Sequence, residues 1–267
     1  MRTLDLDPDE CGEPIRPPGP KDFVICGSPR SGTALLTAAL FQPPRIVTVM
    51  EPWDALRMQP ADLFASLRDE LAATRTLSRG RLDVARLVAD GSVEWCRDGE
   101  RPHPVHVDDD YLLGVKFPAF WRYLDRLPDT KFLVCVRHPA AVVRSFRSTR
   151  GALSAGLDYD VPFNRRMNRD LRAATNDPAV RRVLLYDYVN EHVIKHLDRP
   201  NVMPVRYERW FDDPERLMGE IGDFLGVRLG SLRAALRAPR SAADADAGEA
   251  GLLRRYCRTA EPLGYTL

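Results

Sequence analysis

The sequence of 267 residues lacks a long hydrophobic run and lacks an excess of charge of either sign. It nowhere reaches about 18 uninterrupted apolar residues, the length typical of a membrane-spanning helix, and no apolar stretch follows the first charges at its N-terminus. We therefore expect a protein with no membrane partner that is not exported and resides in the cytoplasm. Its 39 basic and 38 acidic side chains give a formal net charge of only +1. This balance does not favour nucleic acid as a partner, although it is compatible with a local basic pocket.

The chain is also poor in cysteine and lysine. Its five cysteines are an odd number and form no C-x-x-C pair, so no disulfide framework is indicated and we expect reduced thiols. His192 and His196 lie one helical turn apart, and His103 and His106 precede three aspartates at 108–110, but neither group adds a third ligand at metal spacing. No metal site is predicted. The basic residues include only four lysines, Lys21, Lys116, Lys131 and Lys195.

The composition is that of an ordinary globular protein. Hydrophobic residues make up 44% and charged residues 29% of the chain, which is enough apolar material for a sizeable core and outside the range of disordered chains. Residues 1–20 are rich in proline, glycine and acidic residues, which predicts a flexible lead-in. We predict that residues 21–267 form a single domain with a helical insertion over about 151–200.

Short apolar runs alternate along the chain with segments of helical spacing. Strands are predicted at 23–26, 46–50, 111–117, 131–136 and 201–207. Helices are predicted at 33–40, 60–90, 119–127, 164–175, 178–199 and 214–225, with a further one beginning at Pro139 and a loop over 97–110. The alternation predicts an α/β fold, a doubly wound parallel sheet flanked by helices.

A glycine-bounded loop, G-S-P-R-S-G-T at 27–33, follows the first predicted strand and opens the first predicted helix. The backbone N–H groups of such a P-loop-like turn form an anion cradle together with the helix N-terminus. Thr33 occupies the place of the lysine that P-loop nucleotide hydrolases carry, and the cation is instead Arg30. The strongest predicted strand ends in Arg137 rather than in an acid that would organise Mg²⁺. We interpret the loop as an anion site that works without a metal.

Three segments then carry a resemblance to a known family. They are SPRSGT at 28–33, KFLVCVRHPAAVVRSF at 131–146 and VRYERWFDDPERLMGEIGDFLGV at 205–227. In this order and spacing they resemble the sulfotransferases that use PAPS (3′-phosphoadenosine 5′-phosphosulfate), over about 22–228. In that family PAPS donates a sulfuryl group to a hydroxyl or an amine and leaves as PAP. The resemblance implies the P-loop-like fold, PAPS as donor and an enzymatic function.

The resemblance also implies which residues bind the donor. The loop residues that match the 5′-phosphosulfate site are Ser28, Arg30, Ser31, Gly32 and Thr33. Arg137 and Ser145 match the pair that binds the 3′-phosphate. The position of this pair agrees, because a strand end and a residue about one and a half turns into the next helix both face the carboxyl edge of the sheet. A guanidinium fork with a hydroxyl suits a phosphate dianion. Tyr207 matches a tyrosine near the adenosine, although an ordinary core aromatic would look the same.

Two further residues are predicted to act in catalysis together with Arg30. Lys116 ends an apolar strand, and burying an unpaired ammonium costs several kcal/mol, so it should have an anionic partner. The Lys-x-Pro context resembles the tyrosylprotein and heparan branch, where such a lysine contacts the bridging oxygen of the donor. Pro118 stands where cytosolic aryl sulfotransferases place a catalytic histidine. Glu51 ends the second predicted strand beside the loop and resembles the catalytic glutamate of the tyrosylprotein and some bacterial carbohydrate branches. It is the predicted general base, with a helix N-cap as the alternative role, while Arg30 and Lys116 stabilise charge on the departing phosphate.

The sequence predicts the acceptor only as a class. We expect a small molecule with a hydroxyl group, such as a glycoside, a lipid or a secondary metabolite; nothing indicates the oligomeric state. Aromatic residues that either line its pocket or pack in the core are Trp53, Phe120, Trp121, Tyr123 and Phe163. Arginines that form either a solvated helix face or an acceptor cleft lie at 165, 166, 169, 172, 181 and 182. Competing functions are a P-loop kinase or nucleotide hydrolase and a non-catalytic nucleotide-binding module.

Overall fold

The computed structural model describes residues 14–77, 84–87, 93–96, 103–230 and 247–267. The strands are β1 (Asp22–Gly27), β2 (Ile46–Met50), β3 (Thr76–Leu77), β4 (Val84–Leu87), β5 (Val93–Cys96), β6 (His103–Pro104), β7 (Leu112–Lys116), β8 (Lys131–Val136) and β9 (Val202–Arg206). The α-helices are α1 (Thr33–Leu40), α2 (Pro60–Thr74), α3 (Pro139–Ser148), α4 (Arg165–Ala174), α5 (Pro178–Ile194), α6 (Arg209–Asp212), α7 (Pro214–Leu225) and α8 (Ala247–Tyr256).

Five strands form one parallel sheet in the order β2-β7-β1-β8-β9. The three inner strands are buried along nearly their whole length, which is why they appear in the sequence as continuous apolar runs. β1 lies in the centre, so its carboxyl end is flanked by those of β7 and β8. The predicted α/β fold with a parallel sheet is confirmed.

Helices cover both faces of this sheet. Alternate residues of a strand point to opposite faces, and β1 follows the rule. Val24 and Cys26 pack in the core that includes α2, α3 and α5, whereas Phe23 and Ile25 pack in the core that includes α1 and α7. The sheet is therefore doubly wound, as predicted.

Local signals in the sequence fix the ends of two helices. α3 starts at Pro139, and the side chain of His138 caps it by accepting a hydrogen bond from the Ala140 N–H at 3.2 Å. α7 starts at Pro214 behind the capping Asp213 and ends at Gly226, whose φ of 78° suits the left-handed conformation of a C-cap. Both helix starts were predicted from proline at the first helical position.

Two predicted helices are wrong in extent. Of the helices predicted over 60–90, α2 ends at Thr74, because Arg75 adopts a left-handed conformation with φ 53° and the chain continues into β3. β3 pairs with β6 inside the predicted loop, and Val84–Leu87 forms the strand β4 instead of a helix. The helix predicted over 119–127 is a 3₁₀ helix at Pro118–Tyr123. Periodicity in a short apolar stretch does not separate these alternatives.

Further short 3₁₀ helices cover Trp53–Leu56, Leu153–Ala155 and Pro162–Asn164. Within the ranges described, no helix has both the length and the apolar character needed to cross a membrane. The boundary at residue 20, the single domain over 21–267 and the helical insertion remain predictions.

Candidate active site

The loop between β1 and α1 is a closed turn at the carboxyl edge of the sheet. The Ser31 N–H and hydroxyl both donate to the Ser28 carbonyl, at 3.1 and 2.6 Å. Glycine is required at both ends of this turn. Gly27 has φ 130° and a Cβ there would lie 2.4 Å from the Cys135 carbonyl oxygen. Gly32 has φ 101° and a Cβ there would lie 2.3 Å from the ring of Tyr207. The loop therefore lies directly against β8 and the Tyr207 ring.

The predicted donor-binding side chains meet at this loop. Arg30 Nε donates to Ser145 Oγ at 2.9 Å, and Arg137 Nη1 donates to the Arg30 carbonyl at 3.1 Å. The guanidinium carbon of Arg137 lies 4.0 Å from the centre of the Tyr207 ring, a cation–π distance. The structure thus brings together residues from the loop after β1, the end of β8, α3 and the segment after β9, with sequence separations of up to 115 residues.

The two guanidinium groups leave this edge positively charged. Burial lowers the pKa of Arg137 from its usual value, while Tyr207 and Glu208 oppose that shift, and a guanidinium stays protonated in proteins. Among the described residues, neither Arg30 nor Arg137 forms an ion pair with a carboxylate. The loop also has buried hydroxyl groups at Ser28, Ser31 and Thr33. This set of donors fits a phosphate or sulfate group.

Lys116 and Glu51 form an ion pair at the neighbouring strand ends. Lys116 is only 3% exposed, and its Nζ donates to Glu51 Oε1. The two backbones are joined as well, because the Glu51 N–H donates to the Lys116 carbonyl at 2.7 Å. Met50 and Lys116 are register partners of β2 and β7. Glu51 is therefore the anionic partner that the burial of Lys116 predicted.

The carboxylate of Glu51 is also accessible. Its side chain is 45% exposed, so it contacts the buried ammonium on one side and solvent on the other. The alternative helix N-cap role is wrong, since the cap of the 3₁₀ helix that follows is Pro52 and no side chain caps it. An exposed carboxylate fixed beside a buried cation can accept a proton from a bound hydroxyl.

Sequence reasoning did not identify a second carboxyl near this pair. Asp158 is buried, and its Oδ1 accepts a hydrogen bond from the Tyr159 N–H at 2.8 Å. Burial raises its pKa to about 6; Glu51 also raises it, while the Tyr159 N–H, Arg122 and Lys116 lower it. Asp158 lies in a stretch whose glycine, proline and aspartate content indicates only a loop. No local motif could have placed it here.

The C-terminal segment closes the edge beside Arg137. Glu208 accepts from the His138 N–H and from the Tyr265 hydroxyl, both at 2.9 Å. His138 Nε2 lies 3.1 Å from the Thr266 carbonyl oxygen. These contacts join residues up to 128 positions apart. The sequence feature nearest to them was the predicted Tyr207, which directly precedes Glu208.

Other candidates from the sequence have different roles. The aromatic residues that pack in the core instead of lining a pocket are Phe120, Trp121, Tyr123 and Phe163. The side chain of Trp53 lies outside the described residues, as does that of His103. The exposed arginines of α4 are Arg165, Arg166, Arg169 and Arg172. Arg181 and Arg182 donate to the carbonyl groups of Asn176 and Ser154. In the described ranges no group of three or more His, Cys, Asp or Glu is arranged to hold a metal ion.

Comparison with known proteins decides the family. The sequence model described as "Sulfotransferase family" matches residues 22–230, more than half of the chain. The chain belongs to this sulfotransferase family. The family predicted from the three motifs is therefore confirmed, and so is the prediction that the chain is an enzyme of this family.

The individual proteins that resemble this chain share a limited part of its sequence. The nodulation protein NoeE of Sinorhizobium fredii is 33% identical over 150 residues, which is 50% of this chain and 33% of NoeE. The chain thus spans about a third of that relative. The sulfotransferase domain of the Synechococcus PCC 7002 olefin synthase has a TM-score of 0.48 at 18% identity and covers 97% of this chain and 91% of that one. The sulfotransferase from Alicyclobacillus acidocaldarius has a TM-score of 0.45 at 18% identity, over 96% and 98%.

Proposed function

We propose that the protein transfers a sulfuryl group from PAPS to a hydroxyl of a small-molecule acceptor in the cytoplasm. The observation that carries this proposal is the pairing of two features at one sheet edge. The loop after β1 carries Arg30 and is contacted by Arg137 from the end of β8. The Lys116–Glu51 ion pair lies at the ends of the adjacent β7 and β2. The loop and its arginines suit the anionic groups of the donor, and the ion pair suits proton removal from an acceptor.

The donor side of the proposal rests on charge and on hydrogen-bond donors. Arg137 and Ser145 would hold the 3′-phosphate, and the turn from Ser28 to Thr33 would hold the 5′-phosphosulfate. Neither Arg30 nor Arg137 has a carboxylate partner within the described structure, so an anionic ligand supplies the negative charge that balances them. When bound, PAPS supplies an activated sulfuryl group.

The acceptor side rests on Glu51 and Lys116. Glu51 accepts the proton of the acceptor hydroxyl, which makes the oxygen a better nucleophile. Lys116, which is buried, and Arg30 face the negative charge that develops on the phosphate side and stabilise it. Because Lys116 already holds the Glu51 carboxylate, the base is positioned before the acceptor binds.

The test combines a binding measurement with a transfer assay. Calorimetry compares PAP, ADP and AMP, with and without EDTA, and a screen of hydroxyl-bearing metabolites uses sulfur-labelled PAPS. We expect PAP to bind far more tightly than AMP or ADP, EDTA to change nothing, and label to reach at least one acceptor. An absolute Mg²⁺ requirement with ATP turnover would support a kinase or nucleotide hydrolase, and PAP binding without transfer to any acceptor would support a non-catalytic module.

A further inference from the structure

One aromatic ring on the same side of the molecule as the Lys116–Glu51 pair does not pack in the hydrophobic core. Tyr159 is 55% exposed, and the other exposed large hydrophobic side chain of the described residues is Leu267 at 36%. A single exposed ring is ordinary in a soluble protein. What is unusual is the backbone that carries this ring and the position of the ring in the molecule.

The backbone at Tyr159 is held by buried side chains. Asn168 accepts from the Asp158 N–H and donates to the Asp158 carbonyl, both at 2.9 Å. The Tyr159 N–H donates to Asp158 Oδ1 at 2.8 Å, and its carbonyl accepts from Asn164 Nδ2 at 3.1 Å and the Val161 N–H at 2.9 Å. All four backbone polar groups of these two residues therefore have partners. A ring on a fixed backbone loses little conformational entropy when a ligand binds it.

The same segment is packed against the strand that carries Lys116. Phe163, four residues after Tyr159, has its ring centre 6.2 Å from that of Phe117, the residue after Lys116. The Tyr159 hydroxyl also lies within the field of the site. Partial burial raises the pKa of Tyr159, Glu51 and Asp158 raise it further, and Arg30 lowers it. The segment that carries the ring thus packs next to the end of the strand that carries Lys116, within reach of the charges of Glu51 and Arg30.

We propose that Tyr159 determines acceptor specificity by stacking its ring on a planar, apolar ring of the acceptor, whose hydroxyl then reaches Glu51. This inference rests on the proposed sulfuryl transfer and narrows its acceptor to an alcohol with such a ring close to the hydroxyl. Stacked rings are favourable beyond the area that they bury, and an exposed ring keeps that contact available for a ligand.

Benzyl alcohol and 1-heptanol are the test probes, because each has seven carbons and one primary hydroxyl and only the first has a planar ring. Wild type, Tyr159→Ala and Tyr159→Phe are compared by label transfer from PAPS, giving kcat and KM. Binding of each alcohol to the PAP-loaded protein is measured separately by saturation-transfer NMR, which needs no turnover. Calorimetry with PAP shows whether the donor site is intact in each variant.

We expect Tyr159→Ala to raise the KM and the Kd for benzyl alcohol roughly 3- to 10-fold. The kcat, the PAP affinity, and the KM and Kd for 1-heptanol should be nearly unchanged. Tyr159→Phe, which keeps the ring, should behave like wild type. Equal losses for both alcohols, an unchanged benzyl alcohol affinity in Tyr159→Ala, or no binding of benzyl alcohol to wild type would overturn the inference. Ring-selective binding that depends on Tyr159 without transfer of label to benzyl alcohol would still support the stacking contact. Failure of transfer to every hydroxyl-bearing metabolite of the screen would separately remove the proposed function.

Discussion

At the scale of single residues, the backbone of Glu51 shows that its position is imposed by the fold. Its φ of 43° is in the left-handed region, which is uncommon for a residue with a side chain and costs about 1–3 kcal/mol. The hydrogen bond from the Glu51 N–H to the Lys116 carbonyl and the ion pair between the side chains hold it there. Strain of this kind concentrates at functional sites.

Replacing Glu51 by Gln should lower kcat by about 10²- to 10⁴-fold, the usual contribution of a general base. The amide is nearly isosteric but does not accept the proton. PAP affinity should hardly change, because Glu51 addresses the acceptor. Steady-state kinetics and PAP calorimetry on Glu51→Gln measure both, with Asp54→Asn, an acidic residue three positions away, as the control. A variant that keeps more than about a third of the wild-type kcat when chemistry limits the rate would place the base elsewhere.

Arg137 should account for much of the preference for a 3′-phosphate. Loss of a hydrogen bond to a charged group costs about 1.5–3 kcal/mol, so Arg137→Ala should weaken PAP about 10- to 150-fold. AMP lacks the 3′-phosphate, so the affinity for AMP should fall little in this variant. Calorimetry with both nucleotides measures the difference, and Arg166→Ala, on the exposed side of α4, is the matched control. Equal losses for PAP and AMP would contradict the assignment of Arg137.

At the scale of elements, the loop depends on the close approach of β1, α1 and Tyr207. Gly32→Ala should reduce both PAP affinity and thermal stability, because its Cβ would overlap the Tyr207 ring and its φ of 101° strains any side chain. Gly219→Ala is the control, since Gly219 lies within α7 with no neighbour within 4 Å of a new Cβ. Alanine there should stabilise the protein by about 1 kcal/mol. Calorimetric Tm values that move in the same direction for both variants would contradict this account.

The elements also show what the sequence could and could not reveal. The loop was predicted from its glycine spacing, a local signal. Arg137 and Ser145 were predicted from the resemblance to the family, and their positions at a strand end and in the next helix agreed with it. Tyr265 and Asp158 were missed because contacts between distant parts of the chain place them, such as the Tyr265–Glu208 bond across 57 positions. The helix predicted beyond Thr74 failed for a similar reason, because the pairing of β3 with β6 overrides local periodicity.

At the scale of the whole molecule, the half-buried His192 and the buried Asp158 act on stability in opposite directions as the pH changes. Burial lowers the pKa of His192 to about 4, with smaller effects from His196, Asp125, Lys195 and Arg122. The unfolded chain therefore takes up a proton at His192 below about pH 6.5, and stability falls as the pH decreases from there to about 4. The raised pKa of Asp158, about 6, makes the folded protein hold a proton that the unfolded chain loses above about 3.8, so stability falls as the pH rises through that range.

Single variants should separate these opposing effects. Relative to wild type, Asp158→Asn should gain stability as the pH rises from about 4 to about 6, since it carries no carboxyl to ionise. His192→Gln should lose relative stability as the pH rises from about 4 to about 6.5, because only wild type benefits from a neutral imidazole there. Denaturant unfolding at a series of pH values measures both differences. If either difference is independent of pH, the corresponding group does not titrate as described.

The strand order has a consequence for dividing the chain. β1 and β2 precede Leu77, whereas β7, β8 and β9 follow His103, and the order β2-β7-β1-β8-β9 interleaves the two groups. A break between positions 77 and 103 would leave the first fragment without any strand pair of the central sheet. It would also leave Glu51 on one fragment and Lys116 on the other. The proposed transfer would then need both pieces, which makes this topology suited to a split enzyme whose turnover reports that two fused partners have met.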